Sequence, residues 1–518
     1  MSKMLRLILC SIFVFVGSEC AKILAVFPGP SICQQNVFRP LMIELARRGH
    51  EITVITTDPA FPKDQAPSNL TEINVHNISY GYIPKVLKKN GTENEEFDIN
   101  TICDMNLKLV DMQLQSDEVQ EYIRNNKNID LLFVESFIRP TLIYSFIYDA
   151  PVIEFSSCGF LSTYLNIGAA SHPIFYPDTI TRRVYNLTFW DKITKLYNFY
   201  SSNIIYDKHA DTESEWFKKV LGQDVPNMNV LRSKIHMTFL NVHPIWDSNR
   251  PVPPSVVYLG GLHQKPQKEL PQELKSYLDS SKYGVIYISF DTNVQPVLFP
   301  PETLKILTDV ISKLPYDVLW KWDGDELPGR PHNVKISKWL PQSDLLRHPK
   351  IKLFITQGDL QSTDEAIEAG VPLVGLPMFG DQWFNVEQYN RFTIGKGLLI
   401  ETMSEKQLMD AIRTVISDER YRQNIAKLRD IVNDQPLSPL ERAVWWTEYV
   451  LRHGGGTHLR ANGAGVSWTD YYELDLALLL FAVITVVLAV ITFILQIILN
   501  RIERFLFIKK LKLIDKIL

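Results

Sequence analysis

Two stretches of this 518-residue chain repeat one order of elements: an apolar strand, a turn and an amphipathic helix. In the first, a strand over residues 23–27 leads to a helix over about 37–48 and a strand over 51–56. In the second, strands over 284–290, 352–356 and 371–377 accompany a helix over about 361–368. Apolar strands that alternate with helices are typical of parallel sheets covered on both faces. The pattern therefore predicts an α/β fold with two doubly wound, Rossmann-like domains.

A cluster of prolines marks the boundary between these domains. Pro244, Pro251, Pro253 and Pro254 lie close together, and such clusters interrupt regular structure. We predict an N-terminal domain over 21–243, a linker over 244–259 and a C-terminal domain over 260–430. A return helix and juxtamembrane segment follow over 431–475. Parallel sheets bind ligands beyond the carboxyl ends of their strands, so we expect a ligand in the cleft between the two facing domains.

Both ends of the chain carry the patterns of targeting and anchoring segments. Residues 1–20 combine Lys3 and Arg6 with a short apolar core and predict a cleaved signal peptide. Residues 476–500 carry no charge and are long enough to cross a bilayer as a helix, and 501–518 form a basic tail. We predict a single-pass membrane protein with both domains in the lumen or outside the cell and the tail in the cytosol. Four glycosylation sequons agree with this topology, at Asn69, Asn77, Asn90 and Asn186.

The composition argues against two kinds of site. The formal net charge of −4 gives no sign of the basic face that a nucleic-acid partner requires. Outside the predicted signal peptide the cysteines are Cys33, Cys103 and Cys158, too few for a disulfide framework. They also lack the spacing of metal ligands, so no metal site is indicated.

The stretch from residue 339 onward carries side chains suited to a nucleotide. Trp339 can stack on a flat base, and Gln342 can form hydrogen bonds to it. The strand-to-helix turn over 357–362 points backbone N–H groups and the positive end of a helix at an anion. Glu365 lies about one turn into that helix, where a carboxylate can accept both ribose hydroxyls.

An acid and an amide follow a later strand. Asp381 and Gln382 can bond to the hydroxyls of a sugar. Taken singly, Trp339 would fit a domain core, and this pair would fit a solvated loop. The order and spacing of the whole set favour a nucleotide-sugar site over those readings.

The run over residues 354–365, Phe-Ile-Thr-Gln-Gly-Asp-Leu-Gln-Ser-Thr-Asp-Glu, resembles the signature of the UDP-glycosyltransferase family, particularly its insect branch. The resemblance covers nearly the whole chain and includes residues 37–41, 48–57, 157–159 and 260–263. It implies the GT-B fold, in which the N-terminal domain binds an acceptor and the C-terminal domain binds a UDP-sugar.

The resemblance also implies a reaction. The hydroxyl of a small lipophilic acceptor displaces UDP with inversion, and insect members generally use UDP-glucose. The UDP-sugar is a co-substrate, and no metal or cofactor is implied, since helix dipoles and backbone donors stabilise the leaving diphosphate. The family further implies the endoplasmic reticulum membrane, a role in detoxification, and homo- or hetero-oligomers with other members.

The family's donor-binding positions can be carried over residue by residue. They fall on Ser289, Thr292, Trp339, Gln342, Gln357, Gly358, Gln361, Ser362, Glu365, Asp381 and Gln382.

This chain departs from the family at the proton acceptor. Gln34 stands where the family has a histidine, and a glutamine amide has no basic site at working pH. Glu135 falls where the family has the acidic partner of that histidine. Two interpretations stay open: Glu135 acts as the base through a water, or it is a carboxylate left without its partner.

Two aspartates replace family glycines near the diphosphate. The family's Ser-Phe-Gly-Thr turn has Asp291 in place of glycine, and its Gly-Gly pair reads Gly358-Asp359. Glycine permits positive φ and close approach of a phosphate. A carboxylate about 5 Å from a phosphate charge repels it by about 3 kcal/mol at an effective dielectric of about 20. The sequence thus leaves two hypotheses, an active glycosyltransferase or a catalytically inactive homologue that binds lipophilic ligands or pairs with active members.

Overall fold

A computed structural model describes residues 20–62, 65–89, 99–159, 167–290 and 296–514. It divides into two units, Met1–Ala461 and Asn462–Leu518. Several predicted features lie outside the described residues: positions 1–19 of the signal peptide, the Asn90 sequon, Asp291, Thr292 and positions 515–518 of the tail.

The first sheet has, in the described part of the chain, seven parallel strands in the order β3-β2-β1-β4-β5-β6-β7. The strands are β1 (Lys22–Phe27), β2 (Glu51–Thr56), β3 (Leu70–Asn74), β4 (Leu131–Glu135), β5 (Val152–Ser156), β6 (Ile235–Leu240) and β7 (Val256–Tyr258). The central strands are buried runs because helices cover both faces. The strand order reverses between β1 and β4, which makes their carboxyl ends the expected ligand-binding edge.

Helices connect these strands and bury their apolar faces on the sheet. They are α1 (Ile32–Arg47), α2 (His76–Lys89), α3 (Ile99–Leu114), α4 (Asp117–Asn125), α5 (Ile143–Tyr148), α6 (Phe189–Leu221) and α7 (Met228–Arg232), with a 3-10 turn at Arg139–Leu142. In α1, Val37, Phe38, Leu41 and Leu45 are buried at the spacing of one helix face.

The second sheet has six parallel strands in the described residues, in the order β10-β9-β8-β11-β12-β13. The strands are β8 (Val285–Ser289), β9 (Asp317–Lys321), β10 (Val334–Ser337), β11 (Ile351–Thr356), β12 (Leu373–Gly375) and β13 (Gly395–Gly397). Its order reverses between β8 and β11, which makes the carboxyl ends of these strands, at Ser289 and Thr356, the second expected ligand-binding edge.

The second domain is covered by its own helices. They are α8 (Gln272–Ser280), α9 (Pro301–Ser312), α10 (Gln342–Leu346), α11 (Leu360–Ala369), α12 (Gln382–Phe392), α13 (Glu405–Ser417) and α14 (Glu419–Asn433), with a 3-10 turn at Pro296–Leu298. Helix α11 ends at Gly370, whose φ of 66° places it in the left-handed region. The two sheets confirm the predicted fold of two Rossmann-like domains.

The predicted return helix is α15 (Pro439–His453), and it packs on the first domain. Ala443, Val444 and Val450 lie in the same apolar cluster as residues of α1 and β1. Glu448 also forms an ion pair with Arg48, with 2.5 Å between Oε1 and Nε. The chain that follows the second domain therefore returns to the first domain and packs on it through α15.

Some predicted boundaries differ from the structure. Helix α1 begins at Ile32, five residues before the predicted start, because the regular apolar spacing used to place the helix begins only at Val37. Strand β7 lies within the predicted 244–259 linker, because the prolines there precede a short apolar edge strand that pairs with β6.

The second unit contains α16 (Trp468–Tyr471) and α17 (Leu474–Ile514). Helix α17 is long and apolar enough to cross a membrane, with a mean hydropathy of 3.2 in its most apolar window. It extends past the predicted end at residue 500, because Lys and Arg are good helix formers and nothing in the basic tail interrupts it.

Candidate active site

Several positions predicted to bind a nucleotide cluster around Gln342, at the start of α10. Gln342 Nε2 donates to Ser362 Oγ at 3.0 Å and to Glu365 Oε2 at 2.9 Å. Its Oε1 accepts from the Tyr287 hydroxyl at 3.0 Å. The structure thus joins three predicted residues and adds Tyr287, which sequence reasoning missed because it lies in the middle of β8.

Trp339 lies just before this cluster, in the loop that precedes α10. Its side chain is 70% exposed, so the alternative that it belongs to a domain core is wrong. An exposed indole beside an oriented amide and a carboxylate has the chemistry to stack on a base while the polar groups hold a ribose.

The turn between β11 and α11 is built from Gln357, Gly358 and Asp359. Gln357 is fully buried, and its Oε1 and Nε2 have no hydrogen-bond partner among the described residues. Leaving a buried amide unpaired costs free energy that a bound polar ligand would recover. Gly358 has a φ of 92°, and a Cβ there would lie 2.5 Å from Val386 Cγ2, so this position requires glycine.

Asp359 caps the N-terminus of α11. Its φ of −60° suits any residue, so the expectation that positive φ requires glycine at this position is wrong. The carboxylate accepts from the backbone N–H of Ser362 at 2.9 Å. The Asp359 carboxylate therefore already accepts a hydrogen bond from one of the N–H groups that a diphosphate would use at this helix end.

Asp381 and Gln382 lie at the start of α12. Burial raises the pKa of the Asp381 carboxyl to about 6, and a hydrogen bond from Asn385 Nδ2 at 2.9 Å opposes that shift. Gln382 is buried, and its Oε1 accepts from the backbone N–H groups of Met378 and Phe379. Gln382 thus fixes the shape of its own loop, and the contact of Asp381 with a sugar stays a prediction.

On the facing edge of the first sheet, Gln34 and Glu135 lie together around Gly29. A Cβ at Gly29 would lie 2.8 Å from Glu135 Oε1 and 3.2 Å from Gln34 Oε1. Glu135 ends β4 and is only 2% exposed, and burial raises the pKa of its carboxyl to about 7. The N–H of Gly29 donates to Glu135 Oε2 at 3.1 Å and moderates that shift. A carboxyl with a pKa near neutral can exchange protons at working pH.

The geometry can now be compared with known proteins. The family described as "UDP-glucoronosyl and UDP-glucosyl transferase" matches residues 31–511. The chain belongs to the UDP-glycosyltransferase family. Among its relatives is an ecdysteroid UDP-glucosyltransferase of Spodoptera littoralis nuclear polyhedrosis virus, 34% identical over 92% of this chain and 96% of the relative. Another, from Lymantria dispar multicapsid nuclear polyhedrosis virus, is 36% identical over 89% of this chain and 93% of the relative.

Solved structures support the GT-B fold of this glycosyltransferase. A UDP-glucose:anthocyanidin 3-O-glucosyltransferase in complex with UDP aligns with a TM-score of 0.55 at 16% identity, covering 84% of this chain and all of that chain. The kitacinnamycin glycosyltransferase aligns with the same TM-score at 15% identity, covering 84% of this chain and 99% of that chain. At such low identity the likeness shows the fold alone.

Gln361 of this glycosyltransferase joins the two domains. Its Nε2 donates to the backbone oxygen of Ser157, beyond β5, at 2.9 Å. Burial lowers the pKa of nearby His263 to about 4, so its ring is neutral at neutral pH. The ring lies 3.3 Å from the oxygen of Gln361 and 3.4 Å from Asn241 Nδ2. Gln361, which is predicted to bind the donor, therefore directs its side-chain amide to the N-terminal domain.

A second contact between the domains reaches Asp381. Trp246 Nε1 donates to Asn385 Oδ1 at 2.8 Å. The amide nitrogen of Asn385 donates to the oxygen of Gly358 at 3.0 Å and to Asp381 at 2.9 Å. Asn385 lies one helical turn after Asp381, which is a spacing that sequence reasoning could have used. Trp246, 139 residues away from Asn385, offered no such signal.

Trp246→Phe is expected to weaken binding of a UDP-sugar by about three- to tenfold. Phenylalanine keeps the aromatic packing on Phe392 but removes the N–H, which leaves Asn385 Oδ1 buried without this donor, at a cost of about 1–2 kcal/mol. Calorimetric titration of both proteins with UDP-glucose measures the change. An unaltered dissociation constant would show that this contact does not orient Asp381.

The remaining sequence predictions concern the glycosylation sequons, Ser289 and metal ligands. Asn77 and Asn186 are exposed, whereas Asn69 Nδ2 donates to the backbone oxygens of Ala46 and His50. Ser289 is buried at the end of β8. Among the described residues no group of three or more His, Cys, Asp or Glu side chains could hold a metal ion.

Proposed function

We propose that this glycosyltransferase moves glucose from UDP-glucose to a hydroxyl of a small lipophilic acceptor with inversion at the anomeric carbon. The observation that carries the proposal is the pair of facing sites at the ligand-binding edges of the two sheets. One holds Trp339, Gln342 and Glu365, and the other holds Glu135 with a pKa raised to about 7.

In the donor site, the uracil stacks on Trp339 and the ribose hydroxyls bond to Glu365. Gln342 holds the Glu365 carboxylate in place through its 2.9 Å hydrogen bond. The unpaired amide of Gln357 and the N-terminus of α11 face the diphosphate, and Asp381 accepts from glucose hydroxyls.

The acceptor oxygen attacks the anomeric carbon while the bond between that carbon and the diphosphate oxygen breaks, and UDP leaves with the bonding electron pair. The hydroxyl proton passes to a water that Gln34 orients, and that water gives a proton to Glu135. A water is needed because Glu135 is almost fully buried, whereas Gln34 is partly exposed. Gln34 thus acts as a positioning residue, and Glu135 is the final proton acceptor.

The acceptor class to test first is a polyhydroxylated steroid. Two relatives that align with about nine-tenths of this chain are named ecdysteroid UDP-glucosyltransferases. An ecdysteroid is lipophilic over its ring system and offers several hydroxyls, which fits the acceptor chemistry proposed here.

Trp339→Ala is expected to weaken UDP binding by about tenfold without changing the melting temperature. Stacking on an aromatic ring contributes about 1–3 kcal/mol per base, and an exposed indole adds little to the core. Titration with UDP, alongside Trp445→Ala as an exposed tryptophan in α15, measures the effect. Equal affinities for all three proteins would remove Trp339 from the nucleotide site.

A second candidate function is that of an inactive homologue, and Asp359 is the observation that favours it. Its carboxylate caps α11 and supplies negative charge where the diphosphate would bind. This candidate predicts ecdysteroid binding without UDP-glucose binding, whereas the first predicts both. Titrating the full-length protein with each compound separates them.

We further propose that α17 anchors the protein in the endoplasmic reticulum membrane, with both domains in the lumen. The helix is apolar over a span sufficient for a bilayer, and a cluster of Lys and Arg follows that span. Flotation of the full-length protein with phosphatidylcholine vesicles tests the anchor.

A further inference from the structure

The carboxyl ends of β2 and β3 carry a polar cluster that the proposed mechanism does not use. Asp58 follows β2, and His76 follows β3 at the start of α2. The Tyr80 hydroxyl donates to Asp58 Oδ2 at 3.1 Å, and the rings of Tyr80 and His76 lie 4.4 Å apart between their centroids. The His76 side chain is 47% exposed, so a ligand can reach its imidazole. We define Asp58, His76 and Tyr80 as the β2–β3 cluster.

The imidazole of His76 is held in one tautomer. Its Nδ1 lies 2.9 Å from the backbone oxygen of Thr57, which can only accept a hydrogen bond, so Nδ1 carries the proton. The Oδ1 atom of Asp58 lies 3.7 Å from the same nitrogen and favours that proton. In the neutral ring Nε2 is therefore an acceptor, and it has no hydrogen-bond partner in the part of the chain that the structure describes. An exposed acceptor of fixed orientation suits a hydroxyl donor from a ligand.

The loop that carries Asp58 is fixed by two buried or half-buried side chains. Arg39 donates from Nη2 to the backbone oxygen of Asp58, and the Glu72 carboxylate accepts from the backbone N–H of Ala60 at 2.7 Å. A site that is already ordered loses less conformational freedom when a ligand binds. The β2–β3 cluster is therefore preorganised by its own loop.

Gly29 connects the β2–β3 cluster with the proposed acceptor site. The Thr57 hydroxyl lies 2.9 Å from Asp58 Oδ2 and 3.0 Å from the oxygen of Gly29, whose N–H donates to Glu135 at 3.1 Å. The strands follow the order β3-β2-β1-β4, and neighbouring strands in a sheet lie about 4.8 Å apart. The ends of β2 and β3 therefore lie roughly 10 and 14 Å from the end of β4, where Glu135 is found. A rigid ligand lying along this edge can meet both places.

We propose that the β2–β3 cluster binds a second hydroxyl of the acceptor and so selects the hydroxyl that reaches Gln34 and Glu135. The distal hydroxyl donates to His76 Nε2, while the reacting hydroxyl lies beside Gln34. The acceptor class that fits is a rigid, elongated diol or polyol with hydroxyls at opposite ends of an apolar ring system. This inference rests on the proposed function, because it specifies the acceptor of that reaction.

The test measures binding of the acceptor, so it does not depend on catalysis. The full-length protein is titrated with estradiol, which has a hydroxyl at each end of a rigid ring system, and with the analogue that keeps only the phenol. His76→Phe removes Nε2 and keeps an aromatic ring beside Tyr80, whereas His76→Gln retains an acceptor in its amide oxygen. His453→Phe is the matched control, because His453 is also exposed and its ring lies 4.4 Å from that of Tyr449.

We expect the unsubstituted protein and His453→Phe to bind the diol about three- to tenfold more tightly than the phenol, which is the contribution of one neutral hydrogen bond. His76→Phe should lose this preference with its affinity for the phenol unchanged, and His76→Gln should keep part of it. Equal affinities for the two compounds in the unsubstituted protein, a preference that survives in His76→Phe, or no binding of either compound would overturn the proposal.

The same proteins separate this inference from the proposed function. Glucose transfer by a protein that shows no preference for the diol would overturn the inference and leave the proposed function intact. A preference that depends on His76, in protein that forms no glucoside from UDP-glucose, would overturn the proposed transfer and leave the β2–β3 cluster as a hydroxyl-binding site.

Discussion

Glu135→Gln is expected to lower the turnover number of glucosyl transfer by about 10²- to 10⁴-fold, the range by which a general base accelerates a reaction. Glutamine keeps the shape of the side chain but cannot take the proton. In the unsubstituted protein the turnover number should rise with pH through about 7 and then level off, because Glu135 must be ionised to act. The variant should lose this dependence, which initial-rate measurements between pH 5.5 and 9 would show.

The same substitution is expected to stabilise the fold at high pH. Between the ordinary carboxyl pKa of 4.5 and the folded value of about 7, the folded state binds more protons than the unfolded state. The free energy of unfolding therefore falls as pH rises through this window, by about 3 kcal/mol for this group. Glu135→Gln avoids that loss, so it should gain stability relative to the unsubstituted protein at pH 8 and little at pH 4. Denaturation at both pH values checks the sign.

Gln34→His provides the matched gain-of-function variant. An imidazole beside Glu135 offers a base with a pKa near neutral, so turnover should increase. In a Glu135→Gln background the gain should be smaller, because the carboxylate that steadies the imidazolium is absent. Unchanged turnover for Gln34→His would contradict the view that this position limits proton transfer.

Asp359→Asn is expected to tighten UDP binding by about ten- to a hundredfold. Asparagine caps a helix about as well as aspartate, so the hydrogen bond to Ser362 can remain while the charge is removed. Relief of repulsion from one phosphate charge at about 5 Å contributes up to about 3 kcal/mol. Titration with UDP and UDP-glucose gives the dissociation constants.

Two controls separate charge from backbone effects. Asp359→Gly also removes the charge and forfeits only a few tenths of a kcal/mol of capping, so it should match Asp359→Asn. Asp364→Asn alters a neighbouring carboxyl whose pKa is raised well above its ordinary value by burial, so it has less charge to lose and should gain less. Equal UDP affinity in the unsubstituted protein and Asp359→Asn would contradict the repulsion argument.

The sequence predicted those parts of the fold and the site that depend only on the order of strands and helices along the chain. Alternating apolar strands and helices predicted both sheets, and the turn after β11 predicted the grouping of Ser362 and Glu365, because one strand and its helix determine their positions. The role of Asp359 could also have been predicted, since aspartate is a preferred helix cap.

Contacts between distant segments were beyond sequence reasoning. The Trp246–Asn385 hydrogen bond and the contact of Gln361 with Ser157 depend on how the two domains meet. The raised pKa of Glu135 depends on the packing that buries it, which a local motif does not encode.

The proposed chemistry can be observed directly by incubating the full-length protein with UDP-glucose labelled with ¹³C at the anomeric carbon and an ecdysteroid. Nuclear magnetic resonance then follows the labelled carbon, with Glu135→Gln measured in parallel. We predict that the α-linked signal of UDP-glucose gives way to a β-glucoside, at least a hundredfold more slowly in the variant. An α-glucoside, no glucoside at all, or equal rates for the two proteins would contradict inverting glucosyl transfer to an acceptor whose proton goes to Glu135.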